Sequence, residues 1–410
     1  MPTIALDAIV VTAAGAHGAD DWNSTDFYIK FSGYRSSKPA IAELLACVQR
    51  YEVIAFNDFD RDAAVKEAAA SAALGALPDS GESETPIEKL KFSIPRSLSS
   101  RIEWVDIYCG EERCKDVVAL LSCDMRSPEL DAGHVLFFNK QEDTFLLTPR
   151  SDMLRCSFNL KPGRNRMKAV IRAYPSKALH FDIYVYSARD RLVVMDIDGT
   201  ITVSDVRGYV ESVYLGRYTY VHDGVVPFLR VLYESMSYQV LYLTSRPAAH
   251  AAETRSLLQN IRDYVDGSGE ELTMPPGPLF LNKESKTRAV YRELVSRSVA
   301  TFKAEVLLKV KALFAAAGVA QPFFMGVGNR PTDMQAYADV GIAYNAMLLI
   351  DTYSNLTAQD AAGREKSNGA AGSGAKDTWK EVIPASRVYN TYRDPALIAY
   401  IEDLSTASSI

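Results

Sequence analysis

The chain lacks what a membrane-spanning or secreted protein shows. No apolar run approaches the about 18 residues needed to cross a bilayer, and Asp7 with no basic segment stands before the first apolar stretch, so neither a membrane span nor a signal peptide is expected. Basic residues are not in excess: 45 Lys and Arg face 51 Asp and Glu, a net charge of −6. That balance excludes general nucleic-acid binding, and any anionic ligand has to be held by a local cluster of cations. Cysteine is scarce and odd in number. Cys47, Cys109, Cys114, Cys123 and Cys156 lie in the first two-fifths without framework spacing, which predicts free thiols in a reducing compartment. Cys109 and Cys114 look like half of a zinc site, but no second pair follows at ligand spacing.

With 410 residues, 48% of them hydrophobic and 23% charged, the chain is long enough for at least two cores. The segments Ala64–Pro86 and Ala358–Lys376, rich in Ala, Ser, Glu and Gly, read as exposed linkers or surface insertions. Around the first lie short β-rich runs at Asp7–Thr12, Phe27–Phe31, Val53–Phe56, Leu90–Ile94, Val135–Phe138, Thr144–Leu147, Met167–Ile171 and Phe181–Tyr186. Several alternate apolar with polar, as half-buried antiparallel strands do, and an all-β sandwich over 1–190 is the economical expectation. After Arg191 the strands become continuous apolar runs: Leu192–Met195, Gln239–Leu243, Leu279–Leu281 and Phe323–Val327. Helical patterns at Val225–Ser235, Ala249–Tyr264, Lys286–Val295 and Ala304–Ala317 intervene, predicting an α/β domain over 191–350 with a parallel sheet, then a linker and a helical tail over 351–410. In such sheets ligands bind beyond the carboxyl ends of the strands.

Asp196-Ile197-Asp198-Gly199-Thr200 occupies such a place, directly after Leu192–Met195. Two carboxylates two residues apart suit phosphate chemistry: Asp196 to attack phosphorus, Asp198 to supply the leaving oxygen with a proton, and Mg2+ to offset the repulsion between anions. Gly199 lets the chain turn sharply and Thr200 can hydrogen-bond the turn. The bland alternative is a solvated acidic turn. Past the second strand come Thr244, Ser245 and Arg246; a hydroxyl there can bond a phosphoryl oxygen and Arg246 can hold an anion bidentately, or Thr244 merely caps the next helix. Past the last strand, Gly328-Asn329-Arg330-Pro331-Thr332-Asp333 offers an oxygen ligand, a cation and a further carboxylate, or a plain turn. Asn329 and Asp333 with Asp196 and the Asp198 carbonyl form a sparse oxygen set of the kind magnesium accepts. Of the eight Lys and Arg between Lys283 and Lys311, Lys303 stands apart, because it precedes the amphipathic helix that leads toward the last strand.

DIDGT, Thr244, Lys303 and GNRPTD together resemble the four motifs of the haloacid dehalogenase (HAD) phosphatases, and an acid at Asp198 is their phosphatase feature. The strings DIDGTITVSDV, LYLTSRPAAHAAETRSLL, PPGPLFLN, TFKAEVL and MGVGNRPTDMQAYADVGI further run in the order and spacing of the lipin family. FLLTPRSDMLRCSFNLKPGRNRMKAVI upstream, and DAIVV followed by STDFYIKFSG, are similar to that family's other conserved segments. The resemblance implies a HAD-like Rossmannoid catalytic sheet after an immunoglobulin-like sandwich, and a Mg2+-dependent phosphatidate phosphatase. It implies Asp196 as nucleophile, Asp198 as acid and base, Thr244 and Lys303 as phosphate holders, with Gly199, Thr200, Ser245, Arg246 and Arg330 around the substrate. Asn329 and Asp333 complete the metal site. Its partner is phosphatidate in cytoplasm-facing membranes such as the endoplasmic reticulum, held peripherally. Arg246 is followed by Pro247-Ala248-Ala249 where the family has a Gly-containing turn. The rival readings are a HAD phosphatase for soluble phosphomonoesters or phosphoproteins, and a phosphatidate-binding module without turnover.

Overall fold

The computed structural model describes residues 4–14, 20–31, 103–121, 133–139, 144–204, 215–216, 218–265, 268–283, 292–359 and 388–407. The anticipated strands Val53–Phe56 and Leu90–Ile94, and the insertion near 63–86, lie outside them. The chain divides into two compact units, Met1–Val10 with Asp21–Val185, and Val11–Asp20 with Tyr186–Ile410. Among the described residues, no helix is long and apolar enough to cross a membrane.

The first eleven strands are β1 (Ile4–Ala5), β2 (Ala8–Ala14), β3 (Asp20–Ser24), β4 (Ile29–Lys30), β5 (Trp104–Cys109), β6 (Glu112–Arg113), β7 (Ala119–Leu121), β8 (Val135–Asn139), β9 (Thr144–Leu146), β10 (Gly163–Ile171) and β11 (Ala178–Ser187), with a short helix α1 (Ser151–Cys156) after β9. They form a nine-stranded sheet in the order β3-β2-β11-β10-β5-β7-β8-β9 with β6 on β5, and a two-stranded ribbon of β1 and β4. Period-two alternation decides which side chains meet. Val105 and Ile107, Ala119 and Leu121, Val135 and Phe137, Met167, Ala169 and Ile171, and Phe181, Ile183 and Val185 all enter one core, joined by Ala5 and Ile29 of the ribbon. Phe27, Phe137 and Phe158 pack there edge-to-face or tilted, with centroids 5.8 to 6.1 Å apart.

The second unit holds β12 (Leu192–Asp196), α2 (Val225–Arg230, widening into a π turn at Val231–Ser235), β13 (Gln239–Pro247), α3 (Ala251–Asn260), β14 (Arg262–Tyr264), β15 (Glu271–Thr273), β16 (Leu279–Asn282), α4 (Arg292–Ala316), β17 (Phe323–Gly328), α5 (Pro331–Asp339), β18 (Met347–Ile350), β19 (Leu356–Ala358), β20 (Val388–Tyr389) and α6 (Pro395–Ala407). The main sheet runs β16-β13-β12-β17-β18-β19-β20. Its first five strands pair in parallel, and β19 and β20 are each added by antiparallel pairing. The order turns back at β12, the first strand in sequence, which opens a crevice beyond its carboxyl end. β12 is buried along its whole length, as its continuous apolar run requires.

Three boundaries depart from the sequence reading. The helix expected to run to Tyr264 stops at Asn260, because Arg262–Tyr264 pairs antiparallel with Glu271–Thr273. The two helices expected at Lys286–Val295 and Ala304–Ala317 are one from Arg292; no Gly or Pro interrupts it, and residues 286–291 lie outside the described chain. Within it Lys303, Leu307, Val310 and Phe314 form one buried stripe at helical spacing, so Lys303 lies inside the helix rather than before it. The chain beyond 350, anticipated as linker and tail, adds β19 and β20 to the sheet before its terminal helix.

Cys109, Cys114 and Cys156 are free thiols, and the Cys109 and Cys114 sulfurs donate to the carbonyls of Asn159 and Phe158. Burial pushes the Cys114 thiol up to about 12. At pH 8 a thiol reagent is therefore expected to modify exposed Cys156 readily and Cys114 only after unfolding, as peptide mass mapping will show. Native-state labelling of Cys114 as fast as Cys156 would contradict the buried placement.

Candidate active site

Asp196 ends β12, and the next five residues close a tight turn. The amides of Thr200, Ile201 and Thr202 converge on the Ile197 carbonyl at 3.3, 2.9 and 3.0 Å. Gly199 stands at φ 79°, a conformation glycine adopts without a steric cost. Its amide donates to Thr202 Oγ1 at 3.1 Å. The Thr200 hydroxyl donates to Asp196 Oδ2 at 2.8 Å, so it orients the carboxylate itself rather than only the turn.

The two carboxylates of the turn receive different partners. Asp196 Oδ1 accepts from Lys303 Nζ at 2.5 Å, and the same ammonium donates to Asp333 Oδ1 at 2.7 Å. All three side chains are buried. Asp333 is fixed from its other side by the Arg330 backbone amide, 3.0 Å from Oδ2, at the start of α5. Gly328 leaves room for this: a Cβ there would sit 2.6 Å from Asp333 Cβ. Asp198 turns the other way. Its Oδ2 accepts from the Thr244 hydroxyl at 2.9 Å, and Arg246 grips it with Nε 3.0 Å from both oxygens and Nη2 2.7 Å from Oδ1.

Electrostatics follow from this division. Burial, with the anions of Asp333 and Asp198 nearby, pushes the Asp196 carboxyl up despite the opposing pull of Lys303. The Lys303 ammonium resists its own desolvation because Asp196 and Asp333 flank it, and its pKa is raised. Three carboxylates thus share two cations.

Thr244 lies within β13, fully buried, rather than capping the following helix; the strand runs on to Pro247 after a break in its register with β16. Arg246, anticipated as a substrate clamp, has its guanidinium on Asp198 instead. Ser245 is exposed and outside this network, and Arg330 is exposed at the start of α5. Among the described residues no three His, Cys, Asp or Glu side chains form a metal-holding group. With the Asp198 carboxylate engaged by Arg246, the oxygen donors in question for a cation are the Asp196 and Asp333 carboxylates, which also accept hydrogen bonds from Lys303, Thr200 and the Arg330 amide, the half-buried Asn329 and the Asp198 carbonyl. These are hard donors, few in number, and they fit magnesium, which keeps water in most of its positions.

The structure adds residues that motif reading did not reach. The buried Tyr392 hydroxyl donates to the Thr200 carbonyl at 3.0 Å. His222 lies 3.3 Å through Nε2 from the Gly199 carbonyl and 2.8 Å through Nδ1 from Ser354 Oγ. A carbonyl only accepts, so Nε2 carries the proton and Nδ1 accepts from Ser354. Burial lowers the His222 pKa, which keeps this neutral tautomer. Only an isolated His after a Tyr-rich segment and a Tyr near the end of the chain marked them in the sequence.

A family model described as LNS2 (Lipin/Ned1/Smp2) matches residues 146–370, more than half of the 410. The chain is 32% identical over 203 residues to nuclear elongation and deformation protein 1 of Schizosaccharomyces pombe, covering 49% of this chain and 29% of that one. It is 32% identical over 185 residues to phosphatidate phosphatase LPIN2 of Homo sapiens, 45% of this chain and 19% of the relative. It is 31% identical over 210 residues to phosphatidic acid phosphohydrolase 1 of Saccharomyces cerevisiae, 49% and 23% respectively. The matches span less than a third of each of these relatives.

Replacing Tyr392 by Phe leaves the Thr200 carbonyl buried without its donor, so stability is expected to fall by about 1–3 kcal/mol in urea unfolding. No measurable loss would remove Tyr392 as a brace of the turn. The depressed His222 pKa means that the unfolded chain takes up a proton near pH 6.5 that the folded chain refuses until lower pH. Stability from this group is present above pH 6.5 and is lost as pH falls below it. The drop in unfolding free energy from pH 7.5 to 5.5 is expected to shrink in His222→Gln; an unchanged drop assigns the proton elsewhere.

Proposed function

The chain belongs to the lipin/Ned1/Smp2 family, and on that premise we propose that it is a Mg2+-dependent phosphatidate phosphatase, releasing diacylglycerol and phosphate through an aspartyl-phosphate on Asp196. The observation that carries the reading is the division of labour within one turn: Asp196 beside the Lys303 ammonium, Asp198 held apart by Thr244 and Arg246. Two carboxylates that take different parts in one reaction must not share one partner, and here each has its own cation. The relatives whose names specify phosphatidate support the lipid substrate.

Asp196 Oδ attacks phosphorus in line with the glycerol oxygen. The Lys303 ammonium, which has a third N–H beyond those on Asp196 and Asp333, is the proposed donor to the equatorial phosphoryl oxygens, and Thr244 acts through Asp198, which takes its hydroxyl hydrogen. Protonated Asp198 gives its proton to the departing alkoxide, then takes one from the water that cleaves the aspartyl-phosphate. Asp196, Asp333, Asn329 and the Asp198 carbonyl would hold magnesium, which when bound would supply positive charge against the repulsion between carboxylate and phosphate. Ser245 and Arg330, both exposed, are the proposed substrate-side residues, and the buried Gly199 and Thr200 shape the turn beneath the substrate. The strand order turning back at β12 supports a HAD-like Rossmannoid sheet, and the core shared by the ribbon and the nine-stranded sheet supports an immunoglobulin-like sandwich. The proposed working place is the cytoplasmic surface of the endoplasmic reticulum or another intracellular membrane, reached peripherally.

Phosphate release from phosphatidate in mixed micelles is expected to require Mg2+, to stop with chelator, and to exceed release from p-nitrophenyl phosphate and sugar phosphates. Asp196→Asn is expected to abolish it with the fold intact by circular dichroism. Substantial residual turnover in that variant sinks the covalent route, and a preference for the soluble esters sinks the lipid substrate.

A further inference from the structure

Arg246 is a cation beyond a strand end, where an anionic substrate would be expected to meet it. The fold gives it another task. Its side chain is 2% exposed, whereas that of Asp198 is 15% exposed, so a ligand entering from solvent meets the carboxylate before the guanidinium. Nε and Nη2 are both on Asp198, and Nη1 lies 3.4 Å from Oγ1 of Thr254, a fully buried residue of α3. The Thr254 hydroxyl in turn donates to the His250 carbonyl at 2.8 Å. The Arg246 backbone amide donates to Thr244 Oγ1 at 3.1 Å, and that hydroxyl donates to Asp198 Oδ2. Side chain and backbone of one residue therefore both act on the same carboxylate, one directly and one through Thr244.

We propose that Arg246 is a positioning residue, which orients the Asp198 carboxylate toward the leaving oxygen and does not itself bind the phosphate. The proposal rests on the reading of Asp198 as acid and base. A free aspartate samples several rotamers about two torsions, whereas a bidentate guanidinium with a hydroxyl on one oxygen holds the carboxylate in a single plane. Proton transfer depends on such placement to within a fraction of an ångström. The proton balance closes without Arg246. Asp198 loses its proton to the alkoxide as the phosphorus–oxygen bond breaks, and regains one from water as the new phosphorus–oxygen bond forms and the Asp196 oxygen departs. The guanidinium keeps all its protons throughout. β13 supplies both anchoring groups because its strand continues through Thr244 to Pro247.

A double-mutant cycle in the full chain tests this, with kcat and KM measured on phosphatidate micelles in Mg2+ for Asp198→Asn, Arg246→Gln and the double variant. Arg246→Gln is expected to lower kcat about 100-fold with KM changed less than about threefold, and Arg246→Lys, which keeps the charge but not the fork, to lose most of the same activity. The double variant is expected to be no slower than Asp198→Asn. A rise of about tenfold or more in KM at preserved kcat, or losses that multiply in the double variant, would overturn the proposal and return Arg246 to the substrate. If Asp198→Asn alone keeps full kcat, the acid–base reading fails; if it is impaired while Arg246→Gln is not, only the positioning role fails. Should Arg246→Gln not fold by circular dichroism, the double variant, which leaves no buried unpaired charge, still decides against Asp198→Asn.

Discussion

The active turn depends on one ammonium. Lys303 stands between Asp196 and Asp333, two buried carboxylates carried beyond the carboxyl ends of the neighbouring parallel strands β12 and β17, and without it their repulsion would be uncompensated in a low-dielectric setting. Because Lys303 is held by α4, Asp196 by β12 and Asp333 by α5, a single hydrogen-bonded cation ties a central strand to the two helices flanking the last parallel strands. The glycine at 328 follows from the same constraint, since only a residue without Cβ lets Asp333 close on the strand end.

A second cation separates the chemistry of the turn. Asp196 and Asp198 are two residues apart, yet one faces an amine inside the sheet edge and the other a guanidinium under α3. Their environments differ because Asp196 is the last residue of β12 while Asp198 already lies in the turn, where the strand rule that sends i and i+2 to one side no longer holds. Three clustered carboxylates are accommodated by few residues, provided that cations stand between them.

Much of this was legible in the sequence, for physical reasons that differ by element. β12 and β17 were plain because strands buried on both faces leave continuous apolar runs, and Asp196, Asp198 and Asp333 were plain because ligand sites cluster beyond such runs. The start of α4 was misjudged because Lys303 occupies a stripe position that periodicity assigns to an apolar residue. The end of α3 was misjudged because Arg262–Tyr264 carries no strand pattern of its own and becomes one only by pairing with Glu271–Thr273. Arg246 reads in the sequence as a bidentate holder of an anion, but a sequence does not say which anion a guanidinium chooses. His222 and Tyr392 left no local trace, since their partners are backbone carbonyls distant in sequence.

Tyr392 donates its hydroxyl across 192 positions of chain to the carbonyl of Thr200. During synthesis Asp196 therefore leaves the ribosome long before the residue that braces its turn. An emerging polypeptide carries the Asp196–Thr200 motif early, but that brace forms only after 192 further residues have been added. Assembly of the turn thus waits for a residue far downstream, and a nascent chain that has not yet reached Tyr392 carries the motif without that brace.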